Sequence, residues 1–212
     1  MSTELAVVGL GRMAYDRALE LQRSLAAQRI ARNLPADVLL LVEHPPVITL
    51  GRGFQEQHLP LPREALAARG VEVFEIERGG DVTFHGPGQL VGYPIFDLTE
   101  HRADLHWFLR ALEQALITAL DHLHVSAERR EGYTGVWTGG GARKIASIGI
   151  HVKQWVTWHG FALNVMTDLS YFDLIVPCGI PDVQMTSVQR ELGERAPRDL
   201  WVRATDAVIL GF

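Results

Sequence analysis

The sequence has 212 residues, of which 47% are hydrophobic and 21% are charged. A chain of this size builds one sizeable core and rarely two, so we expect one domain over residues 1–212. The formal net charge of −5 argues against a general nucleic-acid-binding surface. No apolar run approaches the roughly 18 residues of a membrane helix, and the N-terminus lacks the pattern of a signal peptide. We therefore expect a cytoplasmic protein with no membrane partner.

The sequence has one cysteine, Cys178, which excludes an internal disulfide and a metal site made of cysteines from one chain. Lysine is also rare, since Lys144 and Lys153 are the two lysines among 20 basic residues. Unlike arginine, lysine can exchange a proton once burial has shifted its pKa. A lysine retained in such an arginine-rich sequence is therefore a candidate for proton transfer.

The N-terminal part of the chain alternates predicted strands and helices. Apolar residues at helical spacing from Ala18 to Ile30 predict an amphipathic helix between two strands. Pro62 opens a short helix that Gly70 ends, and an alternating strand follows. The predicted strands are 5–10, 36–44, 47–53 and 71–77, and the predicted helices are 16–31 and 62–69.

The next segment, RGGDVTFHGPGQLVGYPI at residues 78–95, has five glycines and two prolines. Glycine lets a ligand approach the main chain, whereas proline fixes its own backbone dihedral. This glycine-rich tract therefore predicts a shaped loop that supplies backbone donors. His85 lies inside the tract and either binds a substrate or is satisfied by the backbone.

The C-terminal half begins with the longest helical pattern, at residues 104–124. Its apolar residues fall on one face, which we expect to pack on a sheet. They are Leu105, Phe108, Leu109, Leu112, Leu116 and Leu120. A strand meander is predicted at 135–138, 143–152 and 155–165, and helices at 187–192 and 199–210. The whole pattern predicts an α/β (mixed α+β) fold with a mixed sheet and packed helices.

Three features resemble ligand sites but lack a necessary partner. Residues 9–14, GLGRMA, look like a dinucleotide fingerprint, yet no acidic residue follows about 20 positions on. Residues 139–144, GGGARK, lack the Gly-Lys-Ser/Thr ending of a phosphate loop. His122 and His124 are two apart on a predicted helix and so do not share a face. These features favour plain turns and solvated histidines, and we expect no metal site.

Cys178 follows an apolar run and lies between Pro177 and Gly179. This arrangement predicts a bend at the end of a strand, where a side chain can face a cleft. A lone cysteine is more often a small buried apolar residue, and that alternative stays open. A thiol with a pKa of about 8.5 is mostly protonated at neutral pH, so a catalytic thiol here needs a nearby cation.

Lys144 is the candidate for that cation. In RKIASIGIHV it is expected to share one strand face with Ala146, Ile148 and Ile150, away from open solvent. A cysteine, a lysine and a loop with backbone donors together predict an acyl-transfer site.

Four motifs carry a resemblance to a known family: RGGDVTFHGPGQLVGYPI, GARKIASIGI, HGFALNV and IVPCGI. With LLLVEHPPVITLGR near the front, they closely resemble the lipoyl(octanoyl) transferases over about residues 38–190. The resemblance implies the fold of the biotin and lipoate protein ligase catalytic domains. It also implies transfer of an octanoyl group from octanoyl-acyl-carrier protein to a lysine of lipoyl domains, without a cofactor. The implied acceptors are the lipoyl domains of 2-oxoacid dehydrogenases and the glycine-cleavage H protein.

Residue by residue, the resemblance implies that Cys178 is the nucleophile that holds the octanoyl thioester. Lys144 would lower the pKa of that thiol and move the proton. The implied acyl and phosphopantetheine site consists of Arg78, Gly79, Gly80, Asp81, Val82, Thr83, Phe84, His85, Ser147, Ile148, Gly149, Gly160, Phe161 and Ala162. The resemblance also makes residues 9–14 a strand-to-helix turn.

Two other functions stay open from the sequence. One is a binding protein for lipoyl domains or acyl-carrier protein, in which Cys178 is structural. The other is a ligase or amidotransferase that moves lipoyl between proteins. Because acyl-carrier proteins are acidic, we also expect a local arginine patch for docking. Its candidates are Arg52, Arg78, Arg129, Arg130 and Arg143.

Overall fold

The computed structural model describes residues 4–180 and 183–212. Its strands are β1 (Leu5–Arg12), β2 (Asp37–Glu43), β3 (Val47–Leu50), β4 (Glu72–Glu75), β5 (Val82–His85), β6 (Gln89–Ile95), β7 (Glu128–Arg130), β8 (Tyr133–Thr138), β9 (Arg143–Lys153), β10 (Val156–Asn164) and β11 (Gln184–Met185). Its α-helices are α1 (Tyr15–Ile30), α2 (Arg63–Ala67), α3 (Leu105–His122), α4 (Val188–Leu192) and α5 (Leu200–Gly211).

Within the described residues, an eight-stranded sheet forms the centre of the fold. Its order is β1-β2-β6-β10-β9-β8-β7, with β11 added beside β9. β1 and β2 are parallel and joined by α1, β11 is parallel to β9, and the other pairs are antiparallel. A smaller sheet has the order β4-β3-β5. The predicted α/β fold with a mixed sheet is confirmed. Residues 9–14 do lead from a strand to a helix, but residues 9–12 complete β1 and only residues 13 and 14 form the connection to α1.

Helices cover both faces of the large sheet because its central strands are apolar on both sides. On β2, Leu39 and Leu41 pack in the core under α3 and α5, whereas Leu40 packs on the α1 side. The predicted apolar face of α3 is confirmed, with four of its residues buried and two partly buried. Those six are Phe108, Leu112, Leu116, Leu120, Leu105 and Leu109. In the described ranges, no helix combines the length and apolar character needed to cross a membrane.

The small sheet lies on the α1 side of the large one. Tyr15 and Leu19 of α1 share an apolar cluster with Val47 of β3 and with Ile76. The opposite side of the small sheet builds its own core, which includes Val82 and Phe84. A gap between the small sheet and the α1-facing side of the large sheet holds the candidate site.

The glycine-rich tract at 78–95 folds as two strands rather than as one loop. Residues 78–81 do form a loop that rests on β9, where the Gly79 N–H donates to the Ile150 carbonyl at 2.9 Å. The tract then enters β5 and β6, which belong to different sheets and are buried throughout. The prediction of a loop over the whole tract is therefore wrong. Its apolar residues recur with strand spacing, so burial of those side chains outweighs the freedom of the glycines.

The apolar run before Cys178 is not a strand. Leu169–Leu174 forms 3₁₀-helical turns capped by Asp168, whose carboxylate accepts from the Ser170 N–H. Pro177–Gly179 is a second such turn, in which Cys178 has a φ of 58°. The predicted bend is present, but the preceding strand is wrong, because the Asp168 side chain caps a helical turn at the start of the run.

Candidate active site

A cavity of about 350 Å³ lies between the two sheets. Its floor is the α1-facing side of β9, β10 and β6. Its walls are the start of α1, the strand β5, the loop 78–81 and the turn at 177–180. Both Cys178 and Lys144 line it. The cavity therefore joins residues that lie far apart in the sequence.

Lys144 and Cys178 are in direct contact in this cavity. Lys144 Nζ lies 3.2 Å from Cys178 Sγ, and Ser147 Oγ lies 3.8 Å from the same sulfur. Lys144 is buried, with its ammonium 5.3 Å from the centre of the Trp137 ring. The predicted removal of Lys144 from open solvent is confirmed. A buried ammonium beside a thiol stabilises the thiolate form, which is the reactive one.

A β-bulge in β9 directs Lys144 toward Cys178. In a regular strand, residues 144 and 147 would point to opposite faces, because side chains alternate. Here Val136 of β8 pairs with Ala146, while the next residue, Trp137, pairs with Lys144, which leaves Ile145 as the extra residue. The bulge brings Lys144 and Ser147 to the same side, whereas Ala146 is buried in the opposite core. The prediction that Lys144 shares a face with Ala146 is therefore wrong.

The cations around Cys178 determine the protonation of its thiol. Burial of the thiol raises its pKa, but the charge of Lys144 and the hydrogen bonds from Lys144 and Ser147 lower it more. The Arg78 guanidinium adds a smaller effect in the same direction. The pKa of Cys178 therefore lies below that of an ordinary cysteine.

Arg78 is buried in the wall of the cavity. Its guanidinium donates to the Thr49 carbonyl at 2.6 Å, to Thr49 Oγ1 and to the Gly79 carbonyl. Burial lowers the pKa of this guanidinium. The expectation that Arg78 docks a carrier protein is wrong, because a buried side chain cannot contact a partner's surface.

The other docking candidates lie nearer the surface, and three of them already have partners. Arg129 bonds to Glu113, Arg143 to Glu191, and the Arg130 guanidinium lies over the Tyr133 and Trp137 rings. Arg52 is exposed. A docking role for any of these four stays a prediction.

A hydrogen bond between His58 and Asp81 below the Cys178 turn holds that turn in place. His58 Nδ1 lies 2.6 Å from Asp81 Oδ2, and both side chains are largely buried. A Cβ at Gly179 would come within 2.6 Å of the same carboxylate oxygen, and the Val176 N–H donates to the His58 carbonyl at 2.9 Å. Sequence reasoning missed His58, because nothing in its local pattern distinguishes it from a surface histidine.

Most of the predicted site residues line the cavity. Those that do are Cys178, Lys144, Arg78, Gly80, Asp81, Thr83, His85, Ser147, Ile148, Gly149, Gly160, Phe161 and Ala162. Val82 and Phe84 do not, because alternate residues of β5 point to opposite faces and these two enter the core of the small sheet. Gly79 is also outside the wall, since its N–H and carbonyl are bonded within the protein. The prediction that the whole segment 78–85 lines the site was too broad.

Several cavity residues were not predicted from the sequence. Tyr15 begins α1, Val91 and Tyr93 share one face of β6, and His159 lies on β10 with a φ of 57°. Strand alternation in β6 could have indicated Val91 and Tyr93 as a pair. Nothing local to Tyr15 could have placed it in the site, because its position depends on how α1 crosses the sheet.

Comparison with known proteins identifies the family. Residues 14–208 match the model of the lipoyl protein ligase A/B catalytic domain. The chain is 55% identical over 170 residues to an octanoyltransferase of Gloeobacter violaceus, covering 80% of this chain and 73% of the relative. It is 51% identical over 193 residues to one of Koribacter versatilis, covering 90% of this chain and 76% of that protein. A Myxococcus xanthus octanoyltransferase is 48% identical, and there the match spans 55% of the relative's length.

Solved structures with low sequence identity show the same fold. A lipoate-protein ligase A bound with ATP superposes with a TM-score of 0.72 at 17% identity, covering 100% of this chain and 84% of that one. A lipoate protein ligase from Thermoplasma acidophilum, described with its E2 lipoyl domain, gives 0.70 at 18% identity, covering 99% and 82%. The fold resemblance predicted from the motifs is confirmed. The chain therefore belongs to the lipoyl protein ligase A/B catalytic domain family and, within it, to the octanoyltransferases, which are acyltransferases.

Proposed function

We propose that this protein transfers an octanoyl group from octanoyl-acyl-carrier protein to a lysine of lipoyl domains through a thioester on Cys178. The acceptors are the lipoyl domains of 2-oxoacid dehydrogenases and the glycine-cleavage H protein. The observation that carries this proposal is the 3.2 Å contact between Lys144 Nζ and Cys178 Sγ in the wall of the cavity. Relatives named octanoyltransferase support the acyl group, and a fold neighbour described with a lipoyl domain supports the acceptor.

In the first half-reaction, the Cys178 thiolate attacks the carbonyl carbon of the donor thioester. The bond from that carbon to the phosphopantetheine sulfur breaks, and the leaving thiolate takes a proton from the Lys144 ammonium. The octanoyl group is now a thioester on Cys178, and Lys144 is a neutral amine. Because one thioester replaces another of similar free energy, this step requires no ATP.

In the second half-reaction, the acceptor lysine attacks the Cys178 thioester as a neutral amine. The Lys144 amine takes the proton that the attacking nitrogen loses, so that an amide forms and the Cys178 thiolate leaves next to a restored ammonium. Arginine could not perform this exchange, because guanidinium stays protonated in proteins. The proposed role of Lys144 is thus both to stabilise the thiolate and to carry the proton.

The buried contact between Lys144 and Cys178 also bears on the alternative of a non-catalytic binding protein. Burying a charged lysine costs free energy. A cysteine with a purely structural role would not need a buried lysine beside it. A binding protein would be served as well by an apolar residue at position 144. The contact between Lys144 and Cys178 therefore favours the covalent mechanism.

Intact-protein and peptide mass spectrometry after brief mixing with octanoyl-acyl-carrier protein tests the proposal. We expect a single octanoyl adduct on Cys178 that disappears when a lipoyl domain is added and appears on the lysine of that domain. The Cys178→Ala variant is the control and should form no adduct. If the wild type forms a complex with neither adduct nor transfer, the protein is a binding protein. Loading only from a lipoylated donor protein would instead indicate an amidotransferase.

A further inference from the structure

We propose that the acyl chain binds across the strands of the large sheet and that the cavity limits its length. Tyr15 and His85 set the upper limit of that length. This inference rests on the proposed acyl transfer and adds the selectivity of the same site. It assigns to Tyr15, which begins α1, a role in choosing the substrate.

The floor of the cavity changes from small to large residues with distance from Cys178. Ser147 on β9 lies beside the Cys178 sulfur, and its partner across the ladder is Ala162 on β10, which pairs in turn with Val91 on β6. Gly149 and Gly160 form an adjacent pair on the same two strands. Small side chains on β9 and β10 leave space for a chain that starts at Cys178. The larger side chains of Val91 and Tyr93 then make the cavity shallower at β6.

The distance across these strands matches an octanoyl tail. Neighbouring strands lie about 4.8 Å apart, so the path from β9 to β6 is about 10 Å long. With carbon–carbon bonds of about 1.5 Å, the roughly seven carbons beyond an octanoyl carbonyl reach about 9 Å when extended. An octanoyl group attached to Cys178 therefore ends at Val91 and Tyr93.

Polar atoms lie beyond that point. The Tyr15 and His85 rings stack with their centres 6.1 Å apart, and both side chains are more than nine-tenths buried. His85 Nδ1 bonds to Gln89 Oε1 at 2.8 Å. Among the described residues, neither the Tyr15 hydroxyl nor His85 Nε2 has a hydrogen-bond partner, and both residues line the cavity.

These two groups are neutral at physiological pH. Burial raises the pKa of the Tyr15 hydroxyl and lowers the pKa of His85 to about 3. Water in the cavity can satisfy them when the acyl chain is short. A chain longer than octanoyl would displace that water and leave both groups unsatisfied, which corresponds to roughly a ten- to hundred-fold loss of binding.

The test measures the rate of acyl loading on Cys178 from hexanoyl-, octanoyl-, decanoyl- and dodecanoyl-acyl-carrier protein. For the wild type we expect the rate to fall roughly ten- to hundred-fold between octanoyl and the two longer chains. The Tyr15→Phe variant removes the hydroxyl and keeps the ring, so the octanoyl-to-decanoyl ratio should fall about tenfold. Tyr171→Phe is the matched control, because Tyr171 stacks on Phe84 outside the cavity.

A second variant tests the same path from its near end. Ala162→Val narrows the floor between Ser147 and Val91, so loading should shift toward hexanoyl, and circular dichroism would verify its fold. If both variants load acyl groups with the wild-type length profile, the length proposal is overturned while the acyl-transfer proposal stands. If no chain length loads the wild type, both proposals fail.

Discussion

At the scale of single residues, the site depends on the difference between lysine and arginine. Lys144 is one of two lysines among 20 basic residues, and it is buried against Cys178 and the Trp137 ring. A buried ammonium is stabilised when its partner is charged, and Cys178 provides that charge in its thiolate form. The same pair can exchange a proton as the thiol is acylated and released, which an arginine could not do.

Replacing Lys144 with arginine separates the charge from the proton transfer. Lys144→Arg keeps a cation near Cys178 but removes a group that can give and take a proton, so octanoyl transfer should slow roughly a hundredfold or more. Single-turnover rates for the variant and for Lys153→Arg, an exposed control, measure this effect. Circular dichroism would establish that the variant folds. Transfer at a near-normal rate in Lys144→Arg would mean that position 144 supplies only a positive field.

At the scale of secondary-structure elements, two features of β9 build the site. The bulge at Ile145 directs Lys144 to the side of Ser147, and Gly149 lets the loop 78–81 lie directly on the strand. A Cβ at Gly149 would approach the Gly79 carbonyl oxygen to 2.7 Å and Arg78 Cδ to 3.2 Å. Close approach of the loop therefore requires glycine at this position.

The Gly149→Ala variant tests this packing. The added methyl group should displace the loop and destabilise the protein by about 1–3 kcal/mol, because the nearest atom in its way is the backbone carbonyl oxygen of Gly79. Gly9→Ala is the matched control: Gly9 is on the exposed edge strand β1, where a Cβ meets no atom of the described residues within 4 Å. Its effect should stay within about 0.5 kcal/mol. Urea unfolding measures the stability of both variants. Equal stabilities of Gly149→Ala and Gly9→Ala would contradict the proposed close contact.

At the scale of the whole molecule, the buried His44 links the turn before α1 to strand β6. His44 Nδ1 bonds to the Met13 carbonyl at 2.7 Å, and His44 Nε2 bonds to the Tyr93 hydroxyl at 2.8 Å. Burial lowers the pKa of His44 to about 4 and that of His85 to about 3. In the unfolded chain a histidine has a pKa of about 6.5. Both residues therefore stay neutral in the folded protein at a pH where the unfolded chain binds protons.

The consequence is a loss of stability on mild acidification. Because their folded pKa values are depressed, these histidines contribute stability that is present above about pH 6.5 and lost as the pH falls toward 4. Each should lower the free energy of unfolding by roughly 1.4 kcal/mol per pH unit in that window. Urea unfolding between about pH 7 and about pH 5 measures the slope. His44→Gln should give a shallower slope than the wild type, and the exposed His122→Gln should not; three equal slopes would refute this account.

Much of this protein could be predicted from the sequence, because the responsible patterns are local. Helical spacing of apolar residues predicted α1, α3 and α5, and the strand patterns predicted a mixed sheet. The order and spacing of four motifs indicated the family and identified Cys178 and Lys144 as a candidate pair. The composition itself drew attention to both residues, since each belongs to a type that the chain nearly lacks.

The tertiary structure decided which residues meet in the cavity. The structure adds four residues to the site that the sequence did not predict, namely Tyr15, His58, Val91 and Tyr93. It excludes two that were predicted, Val82 and Phe84. Both differences arise because a residue's position depends on strand register and on how elements cross. The bulge at Ile145 is the clearest case, since one extra residue in β9 reverses the face of Lys144. Such a shift is stabilised by the burial of Ile145 and Ala146 in the core under α3 and α5 and by the contact of Lys144 with Cys178, and no local pattern in RKIASIGIHV specifies it.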